Sequence, residues 1–294
     1  MKRLVYVIQG IPALVLVGLF RLIPLDAGSA IGGWLGRHIG PLLPRSAQAR
    51  TALETAFPEK KPLEIERILV AMWDNYFRTA IEYAHLPRLL ATSGNNRVEI
   101  VDEQKLRAAM ATGKPVLIFS GHIANWEVVT LPLLRQGGRI GVVYRKSNNP
   151  IVDRLITARR GVQDYELLPK GRRGAAGMLS VVKAGGSLAM LVDQKHNEGI
   201  VVPFLGRDAM TSTATADLAH KFGVVILPVR PERLGGARFR VTVADPVACD
   251  AQAERGPEIA RVTAAINDIL SGWIRNRPEQ WMWFHRRWPD ERPL

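Results

Sequence analysis

Pro115-Val-Leu-Ile-Phe-Ser120-Gly-His-Ile-Ala-Asn-Trp-Glu127 is the stretch on which the fold turns. A short apolar run bounded by proline and glycine reads as a strand buried on both faces, as in parallel sheets. The polar turn after Ser120 and the helix expected from Asn125 onward complete a strand, turn and helix. Within it His122 stands five residues before Glu127. Positions five apart on an α-helix lie about 140° apart and would not meet mid-helix, so His122 is expected in the turn. From there the imidazole could fold back over the first helical turn and meet Glu127. A neutral imidazole held at one nitrogen by a carboxylate can take a proton from an alcohol. The competing reading is a structural histidine beside an apolar strand, and a short motif alone does not separate the two.

Outward from this stretch, strand-like and helix-like runs alternate. Strands are expected at Val98 to Val101, Val116 to Ser120, Ile140 to Tyr144, Leu188 to Val192, Val224 to Val229 and Phe239 to Val243. Between them, helical runs cover Glu103 to Ala111, Trp126 to Arg135, Ile151 to Arg160, Ala175 to Lys183 and Ala214 to Phe222. Such alternation predicts an α/β fold with a mostly parallel central sheet flanked by helices, its working residues at strand ends. His122, Arg145 and Asp193 each fall just after a strand. Upstream, Ile65, Ile68, Leu69, Met72, Trp73, Tyr76 and Phe77 repeat with a helical period and give an amphipathic helix over Glu64 to Tyr83.

The His122–Glu127 spacing resembles the HxxxxE box of the glycerolipid and lipid A acyltransferase superfamily, more usually HxxxxD. Further blocks follow in order. Gly141-Val-Val-Tyr-Arg145 is similar to the second block, and Val192-Asp-Gln194, Val202-Pro-Phe-Leu-Gly206 and Thr211 to the third. Pro228 stands where a proline-bearing strand follows. Gln280-Trp-Met-Trp-Phe-His-Arg-Arg287 resembles the closing box of the lipid A lauroyl and myristoyl branch. The resemblance implies acyl transfer from an acyl carrier protein thioester to a hydroxyl of an anionic lipid A precursor, at the cytoplasmic face of a cell inner membrane. It makes His122 and Glu127 the catalytic candidates, with Asn125, Tyr144, Arg145, Asp193, Gln194 and Arg286 facing substrate. Neither a cofactor nor a metal is required. Lys195 departs from the acidic residue expected there, which leaves the acceptor open. A glycerophospholipid or mannosylated lipid acceptor is the alternative within the superfamily.

Composition narrows the partners. The 294 residues are 47% apolar, enough for one large core, and carry a formal charge of +13. That charge calls for an anionic partner: nucleic acid, an anionic membrane, or an acidic carrier and substrate. No RNA-binding signature, zinc-finger spacing or basic heptad repeat supports nucleic acid. Cys249 is the single cysteine, which excludes an intramolecular disulfide and a cysteine-rich metal site. HExxH is absent as well.

The apolar run Leu4 to Phe20 lies between Lys2-Arg3 and Arg21, slightly short of a full bilayer span. It is read as an uncleaved membrane anchor over residues 1–25, lying in the membrane or spanning it, ahead of a single domain over 26–294. A signal peptide cut near Gly28-Ser-Ala30 is the other reading. Gly28, Gly32, Gly36 and Gly40 recur every fourth residue and predict one bare helical face that permits close helix approach, ending at Pro41. Lys170-Gly-Arg-Arg-Gly174 resembles a phosphate cradle without the spacing of a P-loop, and reads as a basic turn near an anionic headgroup. Trp281, Trp283 and Trp288 fit either an interfacial belt or a buried cluster closing the core. Ser120 is the rival nucleophile of a hydrolase reading, but GxSxG is absent.

Overall fold

The computed structural model describes residues 2–160 and 164–288. Met1 of the expected anchor and residues 289–294 of the expected domain lie outside these. Helices α1 (Lys2–Leu22), α2 (Leu25–Ile39), α3 (Arg45–Ala56), α4 (Pro62–Glu82) and the short α5 (Leu86–Leu89) precede the alternating region. There β1 (Val98–Val101), α6 (Glu103–Ala111), β2 (Val116–Ser120), α7 (Leu131–Gln136), β3 (Ile140–Tyr144), α8 (Pro150–Arg160), β4 (Glu166–Pro169), α9 (Arg172–Lys183) and β5 (Ser187–Leu191) follow in turn. A hairpin of β6 (Ile200–Phe204) and β7 (Arg207–Thr211), then α10 (Ala214–Phe222), β8 (Val225–Gly235), β9 (Arg238–Val243) and α11 (Arg255–Asn276) complete the chain.

Seven strands form one sheet in the order β1-β9-β8-β2-β5-β3-β4. Every neighbouring pair is parallel except β8 with β9. The expected α/β architecture with a mostly parallel sheet is therefore present. Strand β2 sits at its centre and is buried along its whole length. Its side chains alternate as the pleat requires. Leu117 and Phe119 join the core formed with α3, α4, α9, α10 and α11, while Val116 and Ile118 join the core on the opposite face.

The glycine stripe of α2 lies against α4. A Cβ at Gly32 would fall 2.8 Å from the carbonyl oxygen of Phe77, and one at Gly36 would fall 2.3 Å from that of Trp73. Only hydrogen fits at such an approach. Below this contact lies a buried polar network. Glu82, fully buried, accepts from Ser29 of α2 at 2.7 Å, from Arg233 of β8 at 2.5 and 3.0 Å, and from Asn125 at 2.9 Å. It ties the N-terminal helices and the His122 loop to the sheet. Among the described residues no helix is long and apolar enough to cross a membrane.

The chain departs from the expected outline in several places, among them the edge strand β4, which was not anticipated. The segment after Asn125 begins as a 3-10 helix, Trp126–Thr130, before α7 takes over. The β6–β7 hairpin was not anticipated. Its turn is Leu205-Gly206, both with positive φ (54° and 84°), as a two-residue hairpin turn demands. Leucine tolerates that conformation because its N–H donates to Ser271 Oγ at 2.9 Å and its carbonyl accepts from Arg275 at 3.0 Å.

Candidate active site

Strands β2, β5, β3 and β4 are parallel, so the residues following them share one edge of the sheet. Ser120 pairs with Leu191 in register, and Val192 N–H continues the ladder to the Ser120 carbonyl at 3.0 Å. Two residues beyond that pair stand His122 and Asp193. Register alone therefore brings an imidazole and a carboxylate together from positions 71 apart.

Asp193 Oδ1 meets His122 Nδ1 at 2.8 Å. Its Oδ2 accepts from the His122 backbone N–H at 2.9 Å and from Trp281 Nε1 at 2.8 Å. Burial opposes the charge of Asp193, but the His122 imidazole and these donors outweigh it and hold the carboxyl well below the usual carboxylate range. The His122 side chain stays 18% exposed while Asp193 is 2% exposed. The other imidazole nitrogen, Nε2, has the Gln194 side-chain amide 3.5 Å away. The loop is held open by Ala124, which takes a positive φ of 50°, donates to the Gln280 carbonyl at 2.8 Å and accepts from Thr79 Oγ1 at 3.0 Å. A non-glycine residue in that conformation persists only where its surroundings fix it.

The expected pairing of His122 with Glu127 is corrected by this geometry. Asn125 caps the 3-10 turn, accepting from the Glu127 N–H at 3.2 Å, and the turn carries the Glu127 side chain into the protein. There its two oxygens are taken by Arg160 and Tyr83: Arg160 Nε donates at 2.8 Å, and closer contacts come from Arg160 Nη2 and the Tyr83 hydroxyl. Burial disfavours the Glu127 carboxylate, yet Arg160 and the hydrogen bonds keep its pKa below the ordinary value. Burial and the Glu127 charge together push the Tyr83 hydroxyl well above its normal range. Asn125, expected to face substrate, is itself fully buried, with its amide committed to Glu82 and its carbonyl to the cap.

The remaining sequence candidates divide. Gln194 lies at the imidazole. Tyr144 ends β3 and lies under Arg160, whose guanidinium is 5.9 Å from its ring centre. Arg145 is exposed just beyond it. Arg286 is half-buried and has no ion-pair partner among the described residues. Ser120 is 1% exposed, and its hydroxyl finds no hydrogen-bond partner among the described residues, so it presents no nucleophile to solvent. The three C-terminal tryptophans are buried: Trp281 meets Trp283 edge to face at 4.7 Å and sends its N–H to Asp193. They close the core and build the site, and do not form an exposed belt.

Beside the imidazole lies Trp126, ring centres 5.2 Å apart. Trp126 also lines a cavity of 380 Å³ between α1, α4 and α8, with Leu16, Val17, Ala80, Leu155 and Ile156 among its walls. Tyr83 is part of that wall, and Glu127 and Arg160 are hydrogen-bonded to its hydroxyl. Neither Arg160 nor Tyr83 was singled out from the sequence. Each ends a helical run, and nothing in spacing marks them as partners of Glu127.

The profile of the family described as bacterial lipid A biosynthesis acyltransferase matches residues 2–290. The chain belongs to this family. Among the relatives of this acyltransferase, the lipid A biosynthesis lauroyltransferase of Escherichia coli (strain K12) is 26% identical over 266 residues, covering 86% of this chain and 83% of the relative. The lipid A biosynthesis palmitoleoyltransferase of the same strain is 23% identical over 273 residues, with 86% and 83% covered. A lipid A biosynthesis acyltransferase of Haemophilus influenzae is 25% identical over 270 residues, with 88% and 83% covered. In this acyltransferase, Trp126 is the residue of the histidine box that lines the apolar cavity.

Proposed function

We propose that the protein moves a fatty acyl chain from acyl carrier protein to a hydroxyl of a phosphorylated lipid A precursor, at the cytoplasmic face of the inner membrane. The observation that carries this reading is the His122–Asp193 pair, with Nε2 directed away from its carboxylate and a tryptophan leading from the ring into an apolar cavity. Asp193 fixes the tautomer with the proton on Nδ1 and stabilises the imidazolium once it forms. His122 Nε2 takes the proton of the acceptor hydroxyl as its oxygen attacks the thioester carbonyl. The new C–O bond forms, the C–S bond breaks, and the proton passes from His122 to the departing thiolate.

The backbone amides of His122, Ile123 and Ala124 are already spent on Asp193, Gly121 and Gln280, so the thioester oxyanion falls to Gln194. Its amide, beside Nε2, is the donor suited to the carbonyl oxygen. Arg145 supplies a fork for the acceptor's anionic headgroup. A body of charge +13 draws both an acidic carrier protein and an anionic membrane surface. Helix α1 exposes Leu14, Val15, Leu16 and Leu19 and is the part suited to the membrane.

Mass spectrometry of the lipid after incubation with mixed acyl carrier protein donors tests the reading. A product heavier by one acyl ester is expected, with one chain length preferred. Hydrolysis of the donor with no mass gain on the lipid would overturn it, as would transfer only to glycerophospholipid acceptors.

A further inference from the structure

Arg233 closes the regular part of β8, where the register with β9 breaks before Gly235, and its side chain is buried. Every N–H of its guanidinium is taken. Nε donates to Asn75 Oδ1 at 2.8 Å, Nη1 to Glu82 and the Gly236 carbonyl at 2.5 and 2.6 Å, and Nη2 to Thr79 Oγ1 and Glu82, both at 3.0 Å. The guanidinium carbon lies 4.8 Å from the centre of the Phe239 ring. Stability does not account for this arrangement, since a buried ion pair can often be exchanged for apolar residues of similar volume without loss. What apolar residues cannot do is orient the amides around them. Because Nε–H can only donate, Asn75 turns its oxygen toward Arg233 and its NH2 toward the histidine loop. There the NH2 spans two carbonyls, those of Ala124 and Gln280, each at 3.3 Å. Gln280 is held by Arg233 as well, whose backbone N–H and carbonyl meet its side-chain amide at 2.9 and 3.0 Å.

These contacts converge on Ala124, held at a positive φ of 50° just after His122 and Ile123. Its N–H donates to the Gln280 carbonyl at 2.8 Å. Its carbonyl accepts from Asn75 and from the Thr79 hydroxyl, which the Asn75 carbonyl of the same helical turn shares at 2.9 Å. The next residue, Asn125, is fixed on Glu82 at 2.9 Å. On the other side, Ile123 bridges to Trp281, the indole donor to Asp193. Relaxing Ala124 toward an ordinary negative φ would therefore swing His122 and disturb the donor on its carboxylate together. We propose that Arg233 is a positioning residue for acyl transfer. Without touching the reacting atoms, it fixes Asn75, Thr79, Glu82 and Gln280, which hold the turn at Ala124 and so aim the His122 imidazole at Asp193 on one side and the acceptor hydroxyl on the other. The inference rests on His122 as the proposed base, but the aim of the imidazole can be read without turnover.

The experiment uses the full chain in detergent. Arg233→Met combined with Glu82→Gln removes both charges and leaves an amide for Ser29 and Asn125. With the folded fraction taken from circular dichroism, kcat per folded molecule should fall about 10- to 100-fold at unchanged KM for donor and acceptor, the cost of a slightly misplaced catalytic group. Arg233→Lys, which keeps a charge for Glu82 but lacks the fork that reaches Asn75 and Thr79 at once, should fall between that variant and wild type. Thr79→Val cuts the hydroxyl link between Arg233 and Ala124 at nearly constant volume. It should lower kcat in the same way by a smaller factor, with Thr79→Ser restoring it, and it decides the matter if the double variant does not fold. The NMR signal of the His122 Nδ1–H, assigned by its loss in His122→Ala, should exchange with water faster in each damaging variant than in wild type. Wild-type kcat per folded molecule in these variants, or a loss carried by KM instead, overturns the role of Arg233. So does an Nδ1–H signal that exchanges as in wild type. If the wild type transfers no acyl chain, or if His122→Ala keeps full turnover, the proposed function falls while the NMR signal still decides whether Arg233 sets the imidazole.

Discussion

Two buried carboxylates flank the same loop, and their partners set them apart. Asp193 and Glu127 are 2% and 6% exposed, and both are held below the usual carboxylate range against the opposition of burial. Asp193 faces an imidazole, a group that gains and loses a proton near neutral pH. Glu127 faces a guanidinium that never gives one up, and Arg160 is driven further from deprotonation by Glu127 and Tyr83 than burial can offset. In the proposed mechanism it is the first pair that takes up and returns the proton of the acceptor alcohol. The second is a permanent ion pair behind Trp126, bracing the wall of the apolar cavity. The lesson is that a motif's spacing marks a carboxylate as fixed in place, whereas its partner decides whether it takes part in proton transfer.

The largest expected effect sharpens the first half of this contrast. His122→Ala and Asp193→Asn should each lower kcat by about 10²- to 10⁴-fold, the range over which a positioned general base contributes. Their double variant should be scarcely worse than either single one, because the two act as a unit. The cycle is read in kcat at saturating acceptor, with circular dichroism reporting the fold. A rate coupling between His122 and Glu127 as large as that between His122 and Asp193 would break the comparison.

The second pair should couple in stability. Removing one partner from a buried ion pair strands the other, so Glu127→Ala and Arg160→Ala should each lose about 3 to 5 kcal/mol in urea unfolding. Glu127→Leu combined with Arg160→Met should lose much less than the sum, since neither charge is left alone. Additive losses would mean that the pair is not a unit and that the contrast with Asp193 is one of degree.

Much of this was legible in advance, for identifiable reasons. A strand buried on both faces writes itself as an apolar run, which is why Val116–Ser120 stands where the sequence puts it; Val98–Val101 and Ile140–Tyr144, less buried, are still marked by their β-branched residues. The hairpin was hidden because the exposed Val201 blurs its alternation, Pro203 demotes the run as a strand, and Leu205 occupies a turn position that usually advertises itself with asparagine or aspartate. Helix α11 carries a readable period at Ile259, Val262, Ile266, Leu270 and Ile274, but Gly256 and Pro257 obscure its start. In the site, Asp193 was visible as a residue just past a strand. Its partnership with His122 was not, because contact across 71 positions depends on strand order and register. The one available signal was that both residues stand just beyond strands that prove to be neighbours. Arg160 and Tyr83 gave none, since a charged or aromatic residue at a helix end is ordinary.

A smaller effect, through pH, probes the open side of the comparison from a third group. His285 lies in the segment that supplies Trp281 to Asp193, and its Nε2 is buried without a hydrogen-bond partner among the described residues. Burial, together with the positive charge of His122, Arg287 and Lys170, outweighs the attraction of Asp193 and pushes its pKa down to about 4. The unfolded chain, with a histidine pKa near 6.5, therefore binds more protons than the folded one between these values. Stability from this group is complete above about pH 6.5 and is lost as pH falls toward 4, by up to about 3 kcal/mol. His285→Asn, which cannot titrate there, should unfold in urea with a shallower dependence on pH across that window. Asp193→Asn should steepen it in the wild-type background, because removing the carboxylate makes a charged imidazole at position 285 still less welcome. Identical slopes in all three proteins would mean that His285 does not feel the charge at Asp193, and the electrostatic reach assigned to that pair would shrink to His122 alone.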